Sequence, residues 1–141
     1  MPLVSRVVAI GEHRLLDGGI ADSIPVEWAR RAGFARNIVV LTQPAGFRKK
    51  ARGALLLKLL LRRHPAVAAA MARRPAFYNA ALERLEELES AGEVLVLRPL
   101  AKLALSRTER DPDKLREAHR RGREVAQSRL EELRAFLEGK G

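Results

Sequence analysis

The chain has 141 residues, enough for one modest domain, and 47% of them are hydrophobic, which excludes a disordered chain. It contains no cysteine, which excludes a disulfide framework and thiolate chemistry. The formal net charge of +10 fits nucleic acid, an anionic membrane surface or no specific partner, but only 4% of the residues are aromatic, so stacking on nucleic-acid bases is disfavoured.

The N-terminal part of the chain predicts strands that alternate with a helix. Val and Ile are concentrated in the first ten residues, and Gly11 with Glu12 predicts a tight turn into a returning strand. A later β-branched run predicts a buried strand, because such runs are typical of strands covered on both faces. Strands are predicted over residues 3–10, 13–16 and 38–41, with a helix over 26–32. Strand, helix and strand in this order predict a βαβ crossover and an α/β fold.

The remainder of the chain predicts mainly helix. Asp111 is a good N-cap, and Pro112 suits the first helical position, so the last helix should begin there. Helices are predicted over residues 54–63, 65–72, 76–90 and 111–138, and a strand over 93–98. We expect residues 1–141 to form a single domain with a C-terminal helix.

The stretch from Leu16 to Pro25 carries the best candidate for chemistry. Asp17 ends a short apolar run and precedes Gly18 and Gly19, which leave the carboxylate unshielded and permit a turn with positive φ. An accessible carboxylate at a strand end suits a general base. Asp-Gly is also ordinary turn chemistry, and the spacing alone favours the ordinary turn.

Other charged residues give weaker signals. Asp22 could pair with Asp17, but a loop cap ahead of the helix explains it better, and no histidine lies near enough in sequence to suggest a metal site. We therefore predict no metal. The basic loop over residues 47–52 is interpreted equally well as a site for phosphate head groups or as a solvated loop. Residues 120–123 predict a solvated basic helix face.

Four stretches of the sequence resemble the C-terminal half of bacterial patatin-like phospholipases: residues 16–26, 37–49, 96–99 and 109–115. The resemblance implies a three-layer α/β fold with a mainly parallel sheet and flanking helices. It also implies hydrolysis of a lipid or phospholipid ester by a Ser-Asp dyad, without a cofactor. Asp17 would be the catalytic acid of the dyad, and Gly18 and Gly19 would shape the substrate-binding turn. Ser23 stands where many members of the family have Asn.

The sequence lacks the other parts of that machinery. No serine has glycines at both −2 and +2, so none lies on a Gly-x-Ser-x-Gly nucleophile elbow. The Gly-rich oxyanion loop is missing as well. We therefore expect the C-terminal portion of a patatin-like lipid acyl hydrolase, inactive alone, with the missing N-terminal half as its partner.

The alternative is a non-catalytic basic module that binds anionic membrane surfaces or nucleic acid. Such a module has no need for an acid beside two glycines. The first residues show no signal-peptide pattern, and the longest apolar run, residues 54–61, is too short to span a bilayer. We expect a cytoplasmic location, with peripheral contact at the inner membrane surface.

Overall fold

The structure, a computed structural model, describes residues 8–51, 53, 59, 61–106 and 108–139. It is a mixed α/β protein. The strands are β1 (Val8–Ile10), β2 (His13–Leu15), β3 (Asn37–Val40) and β4 (Val94–Leu97). The helices are α1 (Val26–Arg31), α2 (Pro65–Ser90), α3 (Pro112–Ser128) and α4 (Leu130–Glu138). The helix predicted over residues 54–63 lies mostly outside the described residues.

Strands β1 and β2 form the hairpin that the sequence predicted. They pair antiparallel, with Val8 opposite Leu15 and Ile10 opposite His13. Gly11 turns the chain at a φ of +58°, where a residue with a Cβ would be strained. Strand β2 ends two residues before Asp17, so the hairpin positions the start of the loop that carries the candidate carboxylate.

Strands β3 and β4 pair in parallel, with Asn37 opposite Val94 and Val40 opposite Leu97. Strand β4 is buried throughout, but β3 is not: Val40 is 71% exposed. The prediction of a buried strand over residues 38–41 is therefore wrong, because β3 has only β4 as a described neighbour and turns one apolar face to solvent. The predicted crossover from residues 13–16 to 38–41 is also wrong, since β2 pairs with β1.

Helix α2 is continuous where the sequence predicted two helices. Pro75 lies inside it rather than at a boundary. Proline removes one backbone donor from the helix, but the buried side chains of Ala68, Leu82, Leu85 and Leu88 lie on both sides of Pro75 and hold the helix through packing.

Residues 111–138 form two helices rather than one. Asp111 accepts hydrogen bonds from the backbone N–H groups of Asp113 and Lys114, which confirms the predicted N-cap. Helix α3 ends at Ser128, and the backbone N–H of Arg129, the C-cap, donates to the carbonyl of Gln127 instead of continuing the helical pattern. The Arg129 guanidinium binds Glu132 and the Val96 carbonyl, so this break is anchored to β4.

The described residues belong to two compact units, each built from two separated stretches of chain. The first unit takes the chain up to Pro25 together with Arg48–Arg84, and its buried residues include Ile20, Ile24 and Leu61. The second unit takes Val26–Phe47 with Leu85–Gly141, and its core is β4 with Leu85 and Leu88. The expectation of a single domain stays a prediction. In the described ranges, no helix combines the length and the apolar character needed to cross a bilayer.

Candidate active site at the Asp17 turn

Asp17 caps a single turn of 3₁₀ helix, Gly18–Ile20, that follows the β1–β2 hairpin. Its Oδ1 atom accepts a hydrogen bond from the backbone N–H of Gly19 at 2.9 Å, and its carbonyl accepts one from Ile20 at 3.1 Å. The side chain is exposed, whereas Ile20 is buried and anchors the turn to the first unit. The carboxylate is thus accessible and is oriented by the backbone.

The backbone conformation of the two glycines differs from the one that the sequence predicted. Neither Gly18 nor Gly19 has a positive φ, so the expected left-handed turn is wrong. The need for glycine at position 19 is steric: a Cβ there would lie 3.2 Å from Oδ1 of Asp17. A Cβ on Gly18 would have nothing within 4 Å. Of the two positions, only position 19 would bring a Cβ into a tight contact with the carboxylate.

Two polar side chains close the same loop. The Ser23 hydroxyl donates to the carbonyl of Gly19 at 2.7 Å. Asp22 accepts from the backbone N–H of Ile24 at 3.0 Å, which confirms that it caps the loop ahead of α1. The loop geometry therefore separates the two acids, with Asp17 oriented by Gly19 and Asp22 used as a local cap.

Arg74, on helix α2, is a neighbour of this turn that the sequence did not indicate. Its Nη2 atom donates to Oγ of Ser23 at 3.5 Å and lies 3.9 Å from the position of a Cβ on Gly19. Its Nε atom is buried and has no hydrogen-bond partner among the described residues. The sequence Arg-Arg-Pro could not predict this contact, because Ser23 lies 51 residues away from Arg74 in the chain.

The surroundings of Asp17 favour its charged form. The hydrogen bond from the Gly19 N–H is the largest cause that lowers the pKa of Asp17, and the positive charge of Arg74 makes a much smaller contribution in the same direction. Asp17 is therefore a carboxylate at neutral pH, the form that accepts a proton. Next along α2, burial raises the pKa of Tyr78, against a smaller opposing effect of Arg74.

The basic loop after residue 47 is ordered against helix α2. Asn79 holds the backbone of Lys49 at both ends, accepting from its N–H at 2.8 Å and donating to its carbonyl at 3.0 Å. The ammonium of Lys49 lies 3.9 Å from the centre of the Tyr78 ring. Arg52 lies outside the described residues. Lys49 therefore faces an aromatic ring, and the interpretation of this loop as a head-group site stays untested.

No group of three or more His, Asp or Glu side chains among the described residues is arranged to hold a metal ion. Among the residues that the structure describes, the Asp17 carboxylate and the Arg74 guanidinium are two ionisable groups that act at this turn.

Residues 64–138 match the family described as a domain of unknown function (DUF6363). The match covers more than half of the chain, so the chain belongs to this family. It includes Arg74 and Tyr78 and does not extend to the Asp17 turn. No curated protein and no solved structure matches the chain.

Proposed function

We propose that this chain supplies the acid of a Ser-Asp dyad that hydrolyses lipid acyl esters, in the manner of patatin-like phospholipases. The observation that carries the proposal is the exposed Asp17 carboxylate, oriented at a strand end by the Gly19 N–H. The resemblance of residues 16–26 to the dyad segment of that family supports the assignment. The parallel pairing of β3 with β4 would belong to the larger parallel sheet of a three-layer patatin-like fold.

In the proposed reaction, Asp17 acts as the general base. It takes the proton from a serine hydroxyl as the serine oxygen attacks the ester carbonyl, and it returns that proton to the departing alcohol as the acyl–oxygen bond breaks. A water then attacks the acyl-serine, and Asp17 takes a proton from this water and returns it to the serine oxygen as the acyl–serine bond breaks and the fatty acid leaves. The serine and the oxyanion hole would come from a polypeptide segment outside these 141 residues, since no serine here lies on a nucleophile elbow.

The electrostatics of the turn set a condition on this role. A lowered pKa keeps Asp17 ionised but makes it a weaker base. Removal of water by the nucleophile segment and the bound lipid would raise its proton affinity, because desolvation disfavours the charged form. Arg74 would then limit the rise and keep the carboxylate ionised at rest.

The experiment joins this chain to a segment that carries a Gly-x-Ser-x-Gly motif and oxyanion loop, fused or added separately, and measures ester hydrolysis. Asp17→Asn should then reduce turnover by about 10²–10⁴-fold, the usual contribution of a general base. Asp22→Asn is the matched control in the same loop, since Asn can keep the cap to Ile24, and it should change turnover only slightly.

Equal effects of the two substitutions, with unchanged melting temperatures, would show that Asp17 is only a turn residue. The non-catalytic basic module would then be the better explanation. Salt-sensitive binding of the full chain to anionic vesicles, with no effect of Asp17→Asn, would support that alternative.

A further inference from the structure

A cavity of about 720 Å³ lies in the second unit, between helix α3 and the segment that follows β4. Its volume falls in the range of small-molecule sites, roughly 300–1,000 Å³. The wall is mainly apolar and includes Pro99, Leu103 and Val125. A sugar or nucleotide would leave polar groups without partners against such a wall, whereas an alkyl chain would not.

The same cavity has basic side chains along its wall. Arg98, Arg121 and Arg129 line it, against one carboxylate, that of Glu124. Glu124 is already paired with Arg120, on the preceding turn of α3. Each of the three arginines is paired with a carboxylate outside the cavity wall, so the cavity offers an anionic head group guanidinium donors rather than uncompensated charge.

The three arginines differ in how far they are engaged. Arg98 binds Glu89, and Arg129 binds Glu132 and the Val96 carbonyl, so both are fixed by the protein. Arg121 uses only its Nε atom, which donates to Glu117 at 2.6 Å. Within the described part of the chain, its two terminal amino groups make no hydrogen bond. Of the three, Arg121 is thus the arginine that keeps both terminal amino groups for a ligand, whereas Arg98 uses one of them for Glu89.

We propose that this cavity binds a long-chain amphipathic anion, with the alkyl chain against the apolar wall and the head group on Arg121. The proposal stands on the cavity alone and does not depend on the hydrolase proposal. A free fatty acid and a single-chain phosphate lipid share this chemistry, an anionic head on one alkyl chain.

The test titrates the full chain with the fluorescent fatty acid cis-parinaric acid and displaces it with competitors. Binding should be saturable. Palmitate and hexadecyl phosphate should displace the probe, and whichever does so at lower concentration identifies the head group. Hexadecanol has the chain without the charge and should be at least about tenfold weaker. Butyrate has the charge without the chain and should not displace the probe.

Two pairs of variants locate the site. Ala101→Phe fills the cavity from an exposed position and should abolish binding, whereas Ala91→Phe, also exposed but away from the cavity, should not. Arg121→Gln should weaken palmitate binding by about tenfold, and Arg116→Gln, on the same helix but outside the cavity, should leave it unchanged. Absence of saturable binding, equal binding by both Phe variants, or hexadecanol as effective as palmitate would each overturn the proposal.

Discussion

Arg74 and Ser23 lie 51 residues apart in the sequence and share a hydrogen bond, 3.5 Å long, at the Asp17 turn. The Ser23 hydroxyl bridges Arg74 and Gly19, because it accepts a hydrogen bond from Arg74 and donates one to the Gly19 carbonyl. The residue whose N–H orients Asp17 is therefore tied through Ser23 to helix α2. This link connects the turn to an element distant in sequence, and the positive charge of Arg74 on that element makes a minor contribution to lowering the pKa of Asp17.

Replacing Arg74 should change the proton affinity of Asp17. Arg74→Gln should raise the pKa of Asp17, because the variant removes a positive charge that stabilises the carboxylate. The pKa should stay below its ordinary value, since the Gly19 N–H is the largest cause of the shift. Titration of the side-chain carboxyl carbon by NMR measures this change. Arg73→Gln is the control, and an equal shift in that variant would contradict a specific role for Arg74.

The two glycines of the turn should differ in their tolerance of alanine. Gly19→Ala places a Cβ 3.2 Å from Oδ1 of Asp17, closer than an ordinary contact, so the carboxylate must shift by a few tenths of an ångström and its hydrogen bond to the backbone N–H of residue 19 should weaken. The pKa of Asp17 should then rise towards its ordinary value. Gly18→Ala meets nothing within 4 Å and should leave that pKa unchanged. The same NMR titration tests both variants, and equal behaviour would show that the close approach at Gly19 is unimportant.

The lowered pKa of Asp17 also predicts a pH dependence of stability. A carboxylate with a depressed folded-state pKa stabilises the fold above its unfolded pKa, and the stabilisation is lost as the pH falls through the folded value. Wild type should therefore exceed Asp17→Asn in melting temperature near neutral pH. The difference should shrink below the ordinary value of 3.8. Thermal melts from about pH 7 to about pH 2 measure it, and a difference that does not vary with pH would contradict the assignment.

The core of the second unit should depend strongly on Leu88, which is 1% exposed on helix α2. Leu88→Ala removes buried methyl groups and leaves a cavity, so the free energy of unfolding should fall by about 2–5 kcal/mol. Leu115→Ala, at a position that is 46% exposed on α3, should cost less than about 1 kcal/mol. Denaturant unfolding of both variants measures these changes, and comparable losses would mean that the burial pattern is wrong.

The chain alone should not hydrolyse short-chain aryl esters above background. A base without a nucleophile and an oxyanion hole has nothing to activate, because the members of such a unit act together. The assay compares purified chain with Asp17→Asn at equal concentration. Turnover that survives repurification and is abolished by replacing one serine would contradict the proposal that the nucleophile lies outside these 141 residues.

The sequence predicted the local features of the fold where a few adjacent residues decide the geometry. The Asp111–Pro112 cap, the Gly11 hairpin and the strand Val94–Leu97 depend on such short-range chemistry, and the structure confirms them. The exposed face of β3 was not predictable, since a β-branched run has the same composition whether or not it has a second neighbour.

The candidate site was predictable only in part. Asp17 was selected through the resemblance of residues 16–26, because the spacing of the acid and the glycines alone favoured an ordinary turn. Arg74 was not, because one arginine among many on a basic chain has no pattern that indicates a contact across 51 residues. The steric reason for Gly19 was equally hidden, since it depends on the rotamer of Asp17 rather than on the backbone conformation of glycine.

Pro75 gives helix α2 a weak point directly after Arg74. Without a proline N–H, the carbonyl of Met71 has no helical donor, and a residue that precedes proline is disfavoured in helical geometry. Brief fraying of the first turns of α2 should therefore stop at Pro75 rather than spread into the turns that carry Leu85 and Leu88. Each time these turns unfold, the Arg74 guanidinium would move away from Ser23. The electrostatic effect of Arg74 on the Asp17 carboxylate would therefore fluctuate as the N-terminal half of α2 unfolds and refolds.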